Sequence, residues 1–441
     1  MLNFLYKGYG FKKLNLILLM LFSSFGWYIF PSFGVRLEHV FIYLFLLFLI
    51  LNNSVCVKKH RHVLLLLFSL LLLIFIPFIG YALLDKTLES SLVVSQLENY
   101  TQPLAIVLIS FSVLRNLNYP EVKLYFDFII KVFVILMALH TFISILMKIN
   151  PSFEYWRLFT GENAISELSW ETSMNAAELA AYGGRSSGIF TQVFEAGYAY
   201  SLALIFWAYL KNSNTNFIKY SHIILLLIFI GGLITYSKVF LVLGILFFSL
   251  IIKNIFLLRY LLLIPFFIMT ALFFDFNLGA FERGLVYIER LIFFPSSYSM
   301  FDIYTSGRFS DNSIIILNMK DIVFNSPIFG YGYGSIRSSD FSLYEVISLG
   351  GLAGILIYLL LFLHLFYICF SIQNKRIREL CMYTMLITLL TSISAPTITA
   401  NRVSVIFWIV ISLVVALNVI QFNRGSAKRS KTIMTKKEVL P

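Results

Sequence analysis

The chain has 441 residues, of which 59% are hydrophobic and only 13% charged; a soluble domain is about 45–50% apolar and about 25% charged. Its apolar residues come in unbroken blocks of about 20, the length of a membrane-crossing helix, and do not alternate as in a transmembrane barrel. A net charge of +12 would suggest nucleic acid in a soluble protein, but in a membrane protein the side on which the charges lie matters more than their sum.

The N-terminus begins with Lys7, Lys12 and Lys13 ahead of an apolar run that ends in Phe25, Trp27, Tyr28 and Phe30. The aromatic end of the run is unlike that of a cleaved leader, so this run reads as an uncleaved first span. Further apolar blocks predict twelve spans, at 14–31, 37–51, 63–84, 98–114, 124–147, 194–210, 220–236, 239–252, 258–275, 343–370, 379–395 and 403–421. The pair at 220–236 and 239–252 is split only by Ser237-Lys238 and must be a tight helical hairpin. With the N-terminus inside, the short inner segments hold twenty-one of the 34 Lys and Arg residues, the positive-inside pattern, and both termini are cytoplasmic. The expected class is an all-α polytopic membrane protein. The basic tail 422–441 reads as a disordered segment resting on anionic lipid.

Cys56, Cys369 and Cys381 have neither metal-ligand nor disulfide-framework spacing and read as small apolar residues. Asp127 and Lys131, one turn apart in the fifth block, are expected to pair with each other. No P-loop, dinucleotide fingerprint, internal repeat or sizeable inner domain is present in the sequence.

Two outer loops are long. The first, 148–193, is rich in acids (Glu154, Glu162, Glu167, Glu171, Glu178) and aromatics, which suit sugar rings and hydroxyls as well as a membrane interface. It ends in Arg185-Ser-Ser-Gly188-Ile-Phe190, with Glu195 opening the next span. The second, 276–342, starts with an amphipathic stretch from Phe281 to Leu291 suited to the membrane surface. Gly307-Arg308 follows, then a helix expected over 312–324 and capped by Ser310 or Asp311. Arg308 beside that helix N-terminus could hold phosphate oxygens, or could simply snorkel or pair with an Asp. Pro327-Ile-Phe-Gly330-Tyr-Gly332-Tyr-Gly334 is a turn that lets the backbone approach a ligand or another helix. Asp340 and Glu345 are carboxylates at a membrane boundary; capping of the tenth span by Asp340 is the plainer use. Arg185, Lys238 and Arg308 are cations from three outer loops. Convergent, they would fit a diphosphate, or the anionic solute of a transporter. None of the six histidines lies in either long loop, and no His/Cys/Asp cluster there has metal-binding spacing.

These features resemble the O-antigen polymerase (Wzy) family, within the wider polymerase–ligase superfamily of bacterial surface polysaccharides. The residues that carry the resemblance are Arg185-x-x-Gly188-x-Phe190, Thr235-x-Ser237-Lys238, Gly307-Arg308, Asn325-Ser-Pro327 with Gly330, Gly332 and Gly334, then Asp340 and Gly351-x-x-Gly354. Two departures stand out: Lys238 replaces the usual Arg, and Glu195 is followed by Ala196-Gly197 where the family often has Pro-Ser. Ligases carry a His near the position of Asp340, so the resemblance favours polymerase over ligase. It implies a GT-C-like fold with periplasmic long loops, in the bacterial inner membrane. The implied activity is metal- and cofactor-independent glycosyl transfer from undecaprenyl diphosphate onto a new lipid-linked oligosaccharide repeat unit. A chain-length regulator and a flippase would be its partners, and nucleic acid would not. The implied roles are charge neutralisation by Arg308 with Arg185 and Lys238, proton acceptance by Asp340 or Glu195, and substrate contacts by Arg337, Tyr344 and Glu345. An O-antigen ligase, or a non-enzymatic flippase or transporter, are the alternatives.

Overall fold

The computed structural model describes residues 10–30, 35–55, 60–83, 90–151, 153–161, 175–213, 221–251, 283, 313–335, 342–392, 395–399 and 401–437. The expected span 258–275, most of the amphipathic stretch 281–291, Arg308, Arg337, Asp340, Cys56, Glu162, Glu167 and Glu171 lie outside these residues.

The described chain is overwhelmingly helical. In order it runs α1 (Gly10–Phe25), the short antiparallel ribbon β1 (Tyr28–Phe30) and β2 (Val35–Arg36), α2 (Leu37–Leu51), α3 (Arg61–Leu83), α4 (Ser90–Leu114), α5 (Tyr119–Ile149), α6 (Arg157–Thr160), α7 (Ala176–Tyr182), α8 (Val193–Asn212) and α9 (Ser221–Thr235). A π-helical turn over Phe240–Gly244 leads into α10 (Ile245–Ile251). Then come α11 (Ile314–Asn325), α12 (Ser342–Ser371), α13 (Lys375–Ser392) and α14 (Asn401–Lys437). Among the described residues, five segments are long and apolar enough to cross a membrane: Arg61–Leu83, Tyr119–Ile149, Val193–Asn212, Ser342–Ser371 and Arg402–Gln421. Four shorter apolar helices accompany them.

Two helices form the centre. Residues 402–421 of α14 are 94% buried and pack on α1, α4, α5 and α12, while α8 is 89% buried among α5, α9 and α13. Helix α3 is only half buried and has the highest mean hydropathy of the five, 3.0, against 1.3 for α8. A lipid-facing helix must be apolar all round, whereas an enclosed one can trade hydropathy for fit. Apolar burial drives little association between helices in lipid, so small residues that bring backbones together do more. Ala196, Gly197, Ala199, Ser201 and Ala203 supply that surface on α8, all of them buried. Helix α5 starts with a full capping box: Glu121 N–H donates to Asn118 Oδ1 (3.1 Å) and Asn118 N–H to Glu121 Oε2 (2.9 Å).

Four local expectations are corrected. The first helix stops at Phe25, and Tyr28–Phe30 forms a ribbon with Val35–Arg36. Helix α11 is capped by Ser313, whose Oγ accepts from Ile316 N (3.2 Å), and not by Ser310 or Asp311. Asp127 pairs with Lys123 (3.0 Å) and accepts from the Tyr209 hydroxyl (2.6 Å), one turn in the opposite direction from Lys131. The expected disordered tail continues α14 in helical conformation to Lys437. Its Ala, Lys, Arg and Met residues extend an existing helix, which needs no new nucleation.

Candidate functional site

Three of the expected motifs meet at one end of the bundle. Arg185 follows α7, where Gly184 turns the chain at φ 82° and Arg185 N–H closes onto Ala180 O (2.9 Å). The next residue, Ser186, joins two other elements: its N–H reaches Ile234 O of α9 (3.3 Å) and its hydroxyl Ser144 O of α5 (2.8 Å). Arg185 is half-buried at this junction. The hairpin turn that carries Lys238 lies directly beyond Ile234, with Tyr236 at φ 46°. Lys238 is also half-buried. Gly197 of α8 presses on the same turn, and a Cβ there would stand 2.3 Å from Ser237 Oγ. So the departure Ala196-Gly197 has a physical use: no larger residue would let α8 approach the Lys238 turn. The π turn that follows places the Phe240 ring against Gly232 and Gly244 (2.2 and 2.4 Å from their would-be Cβ atoms). The structure thus brings together the backbones of Arg185 and Lys238 and the start of the Glu195 helix.

His140, in the middle of the chain's fifth expected span, supports this junction from below. Ile189 N–H donates to His140 Nε2 (3.2 Å), so the ring proton is on Nδ1, which donates to the Tyr200 hydroxyl (2.9 Å). Tyr200 in turn donates to Thr141 Oγ1 (3.3 Å), which donates to Leu227 O (2.8 Å). The chain of bonds links the motif loop to α5, α8 and α9. Gly188, at φ 58°, is needed because a Cβ would lie 2.4 Å from the His140 ring.

Glu195 is buried, and its Oε2 accepts from Thr191 N (3.1 Å) and Thr191 Oγ1 (2.6 Å). It also lies within electrostatic range of Tyr28, Arg36 and Arg402. Those residues belong to a buried ion cluster. Arg36, Glu38 and Arg402 are each 0% exposed. Arg36 Nη1 and Arg402 Nε stand 3.2 and 3.7 Å from Glu38 Oε1. Arg36 Nη2 contacts His39 Nε2 at 3.0 Å. Since guanidinium only donates, that nitrogen accepts and the His39 ring is neutral. Arg402 spends its remaining donors on three backbone carbonyls: Gly26 (2.6 Å), Phe159 (2.8 Å) and Ile189. One side chain thereby fastens the end of α1, the first long loop and the motif loop to the central helix.

The Pro327–Gly334 turn docks on helices. It lies in a break of α12 at Gly351 (φ 56°, ψ −149°), where Tyr331 N bonds Ser348 O (2.7 Å), Leu352 N bonds Pro327 O (2.9 Å) and Ala353 N bonds Ile328 O (3.0 Å). Gly332 sits on α3, its would-be Cβ 2.1 Å from Tyr81 N. Pro77 interrupts the hydrogen-bond ladder of α3, and the Tyr333 hydroxyl donates to Ile74 O there (3.0 Å). Gly334 N–H reaches Gln96 of α4 (2.6 Å). Burial raises the Tyr333 hydroxyl, which keeps it a donor, and burial with the Asp321 carboxylate beside it raises Tyr331. Of the two readings of this turn, close approach to another helix is the one observed.

Tyr344 and Glu345, at the start of α12, are buried. Asn318 Nδ2 donates to the Tyr344 hydroxyl (2.9 Å), and Thr399 Oγ1 donates to Glu345 Oε2 (2.8 Å). Among the acids of the first long loop, Glu178 is committed to structure: it holds Arg157 through two bonds (2.7 and 3.2 Å) and completes a capping box with Asn175. Among the described residues no group of three or more His, Cys, Asp or Glu side chains is placed to hold a metal ion.

Arg36, Glu38, Arg402 and His140 were not singled out as site residues by sequence reasoning. A usable signal existed for three of them, because Arg36-Leu-Glu38 and Arg402 abut wholly apolar blocks, where a charge is costly unless paired. Which partners they find depends on residues far away in the chain. No protein-family model matches the chain, and neither a curated protein nor a solved structure matches it.

Proposed function

We propose that this protein is a polysaccharide polymerase of the O-antigen type, a glycosyltransferase that lengthens a glycan carried on undecaprenyl diphosphate at the periplasmic face of the inner membrane. The observation that carries the reading is the meeting, at one end of an apolar helical bundle, of the Arg185 loop, the Lys238 turn and the Glu195 helix. Two cations from separate loops anchored to one another suit a diphosphate, whose charge grows as the glycosidic bond to it breaks. Arg308 completes the cationic set. Asp340 accepts the proton of the attacking sugar hydroxyl. Glu195 takes the secondary part, since Thr191 already occupies one of its oxygens. A phosphate leaving group needs no general acid. Arg337, Tyr344 and Glu345 flank the acceptor, and twelve spans with both termini cytoplasmic complete the topology.

The test is the surface polysaccharide of a deletion strain, separated by chain length. Loss of a polymerase leaves a lipid core bearing one repeat unit. Bare core with polymer still on the lipid carrier would make the protein a ligase, and absence of both would make it a flippase. Complementation with Arg308→Ala should leave single-repeat product at normal protein levels. A full-length ladder from that variant would sink the assignment of Arg308.

A further inference from the structure

The opposite end of the bundle holds a feature the proposed activity does not use. Between the C-terminal ends of α8 and α10 and the start of α13 lies a cavity of about 460 Å³. That volume falls within the roughly 300–1,000 Å³ range of ligand pockets. Its wall is apolar, formed by Ile205, Ala208, Phe247, Leu250 and Leu380. Its polar lining is Lys211, Asn212, Arg376 and Glu379.

The charges are unequal. Glu379 has a cationic neighbour of its own in Lys375 (3.9 Å), one turn away, which leaves Lys211 and Arg376 as the excess positive charge of the cavity. Both are exposed at its edge. The aromatic residues behind them are fixed: Trp207 Nε1 donates to Ser221 O (2.7 Å), and the Tyr209 hydroxyl to Asp127 (2.6 Å). Lys211 Nζ lies 5.1 Å from the Trp207 ring centre. Apolar wall, aromatic collar and basic rim follow one another toward the ends of the helices, in the order in which a lipid presents acyl chain, glycerol and phosphate.

We propose that this cavity is a binding site for an anionic glycerophospholipid of the surrounding leaflet. One acyl chain would lie against Ile205, Phe247 and Leu250, and the phosphate between Lys211 and Arg376. The site is remote from the Arg185–Lys238 end, and the inference does not depend on the proposed activity. It is non-covalent and involves no chemical step.

The full chain, purified in detergent, is titrated with phosphatidylglycerol, phosphatidylcholine or inorganic phosphate and read by native mass spectrometry. A cation near lipid phosphate contributes about fivefold in affinity, so K211Q/R376Q should weaken phosphatidylglycerol retention about 25-fold and leave phosphatidylcholine unchanged. K211R/R376K should restore it, and Ala208→Phe, which fills the cavity, should lower it with both cations in place. Equal retention of the two lipids by the parent, or unchanged phosphatidylglycerol retention by K211Q/R376Q, overturns the proposal. Displacement of phosphatidylglycerol by millimolar inorganic phosphate also overturns it, in favour of a soluble anion. Both substituted cations are exposed, so a monodisperse K211Q/R376Q variant is expected.

Discussion

Replacing Arg402 with methionine tests the anchoring role of the ion cluster. Methionine fills much of the same volume and donates no hydrogen bond. The carbonyls of Gly26, Phe159 and Ile189 would lose their guanidinium donors, and Glu38 would lose one of its two cations. An orphaned buried acceptor costs about 1–3 kcal/mol, so three give about 3–9 kcal/mol. Removing the desolvation cost of a fully buried guanidinium offsets part of this. Breaking a buried pair by deleting one partner generally costs about 3–5 kcal/mol, which is the loss expected here. Lysine should do little better, because a single ammonium cannot fan out to carbonyls from three separate elements as a planar guanidinium does. The assay is size-exclusion chromatography of detergent-solubilised protein after a series of heat steps, with parent, Arg402→Met and Arg402→Lys compared. Both variants should lose the monodisperse peak well below the parent temperature. An Arg402→Met curve that overlays the parent curve would refute the idea that this side chain fastens the three loops.

Three further outcomes are expected. Gly332→Ala and Gly351→Ala should each destabilise by at least about 1–3 kcal/mol, since both glycines have positive φ and both would-be Cβ atoms meet backbone at 2.1 and 2.6 Å; the same heat series reads it. Gly197→Ala should displace the Lys238 turn and shorten the glycan ladder in a complemented strain, and adding Ser237→Gly, which removes the obstructing side chain, should lengthen it again. His140→Phe should cost about 1–3 kcal/mol through the stranded Ile189 N–H, whereas His140→Gln, which can offer an acceptor near the same place, should cost less when measured by heat challenge.

Particular residues show how far the sequence could be read. Helices α5, α8, α12 and the apolar part of α14 fall within a few residues of the expected spans, because an apolar run of membrane length has no satisfactory alternative to a helix: in hydrocarbon every backbone group must bond internally. The hairpin at Ser237-Lys238 was legible for the same reason, and the short loops left the helices little choice of neighbour. Where two local tendencies were nearly balanced, the sequence misled. Trp27–Phe30 is apolar enough to prolong α1 but pairs with Val35–Arg36 instead. Asp127 had lysines one turn away in both directions, and Tyr209, from a helix 82 residues later, joins it with Lys123.

Composition and apolar block length by themselves determined that this is a predominantly helical protein of membrane character, because lipid punishes unsatisfied backbone everywhere along a span. Tertiary structure alone decided which buried charges meet. Arg402 follows Glu38 by more than 360 residues, and Gly332 follows Tyr81 by about 250, yet each pair is in contact. Ion pairs and close backbone approaches are fixed by short-range forces that act only after the helices have packed, and no local pattern in the chain encodes them.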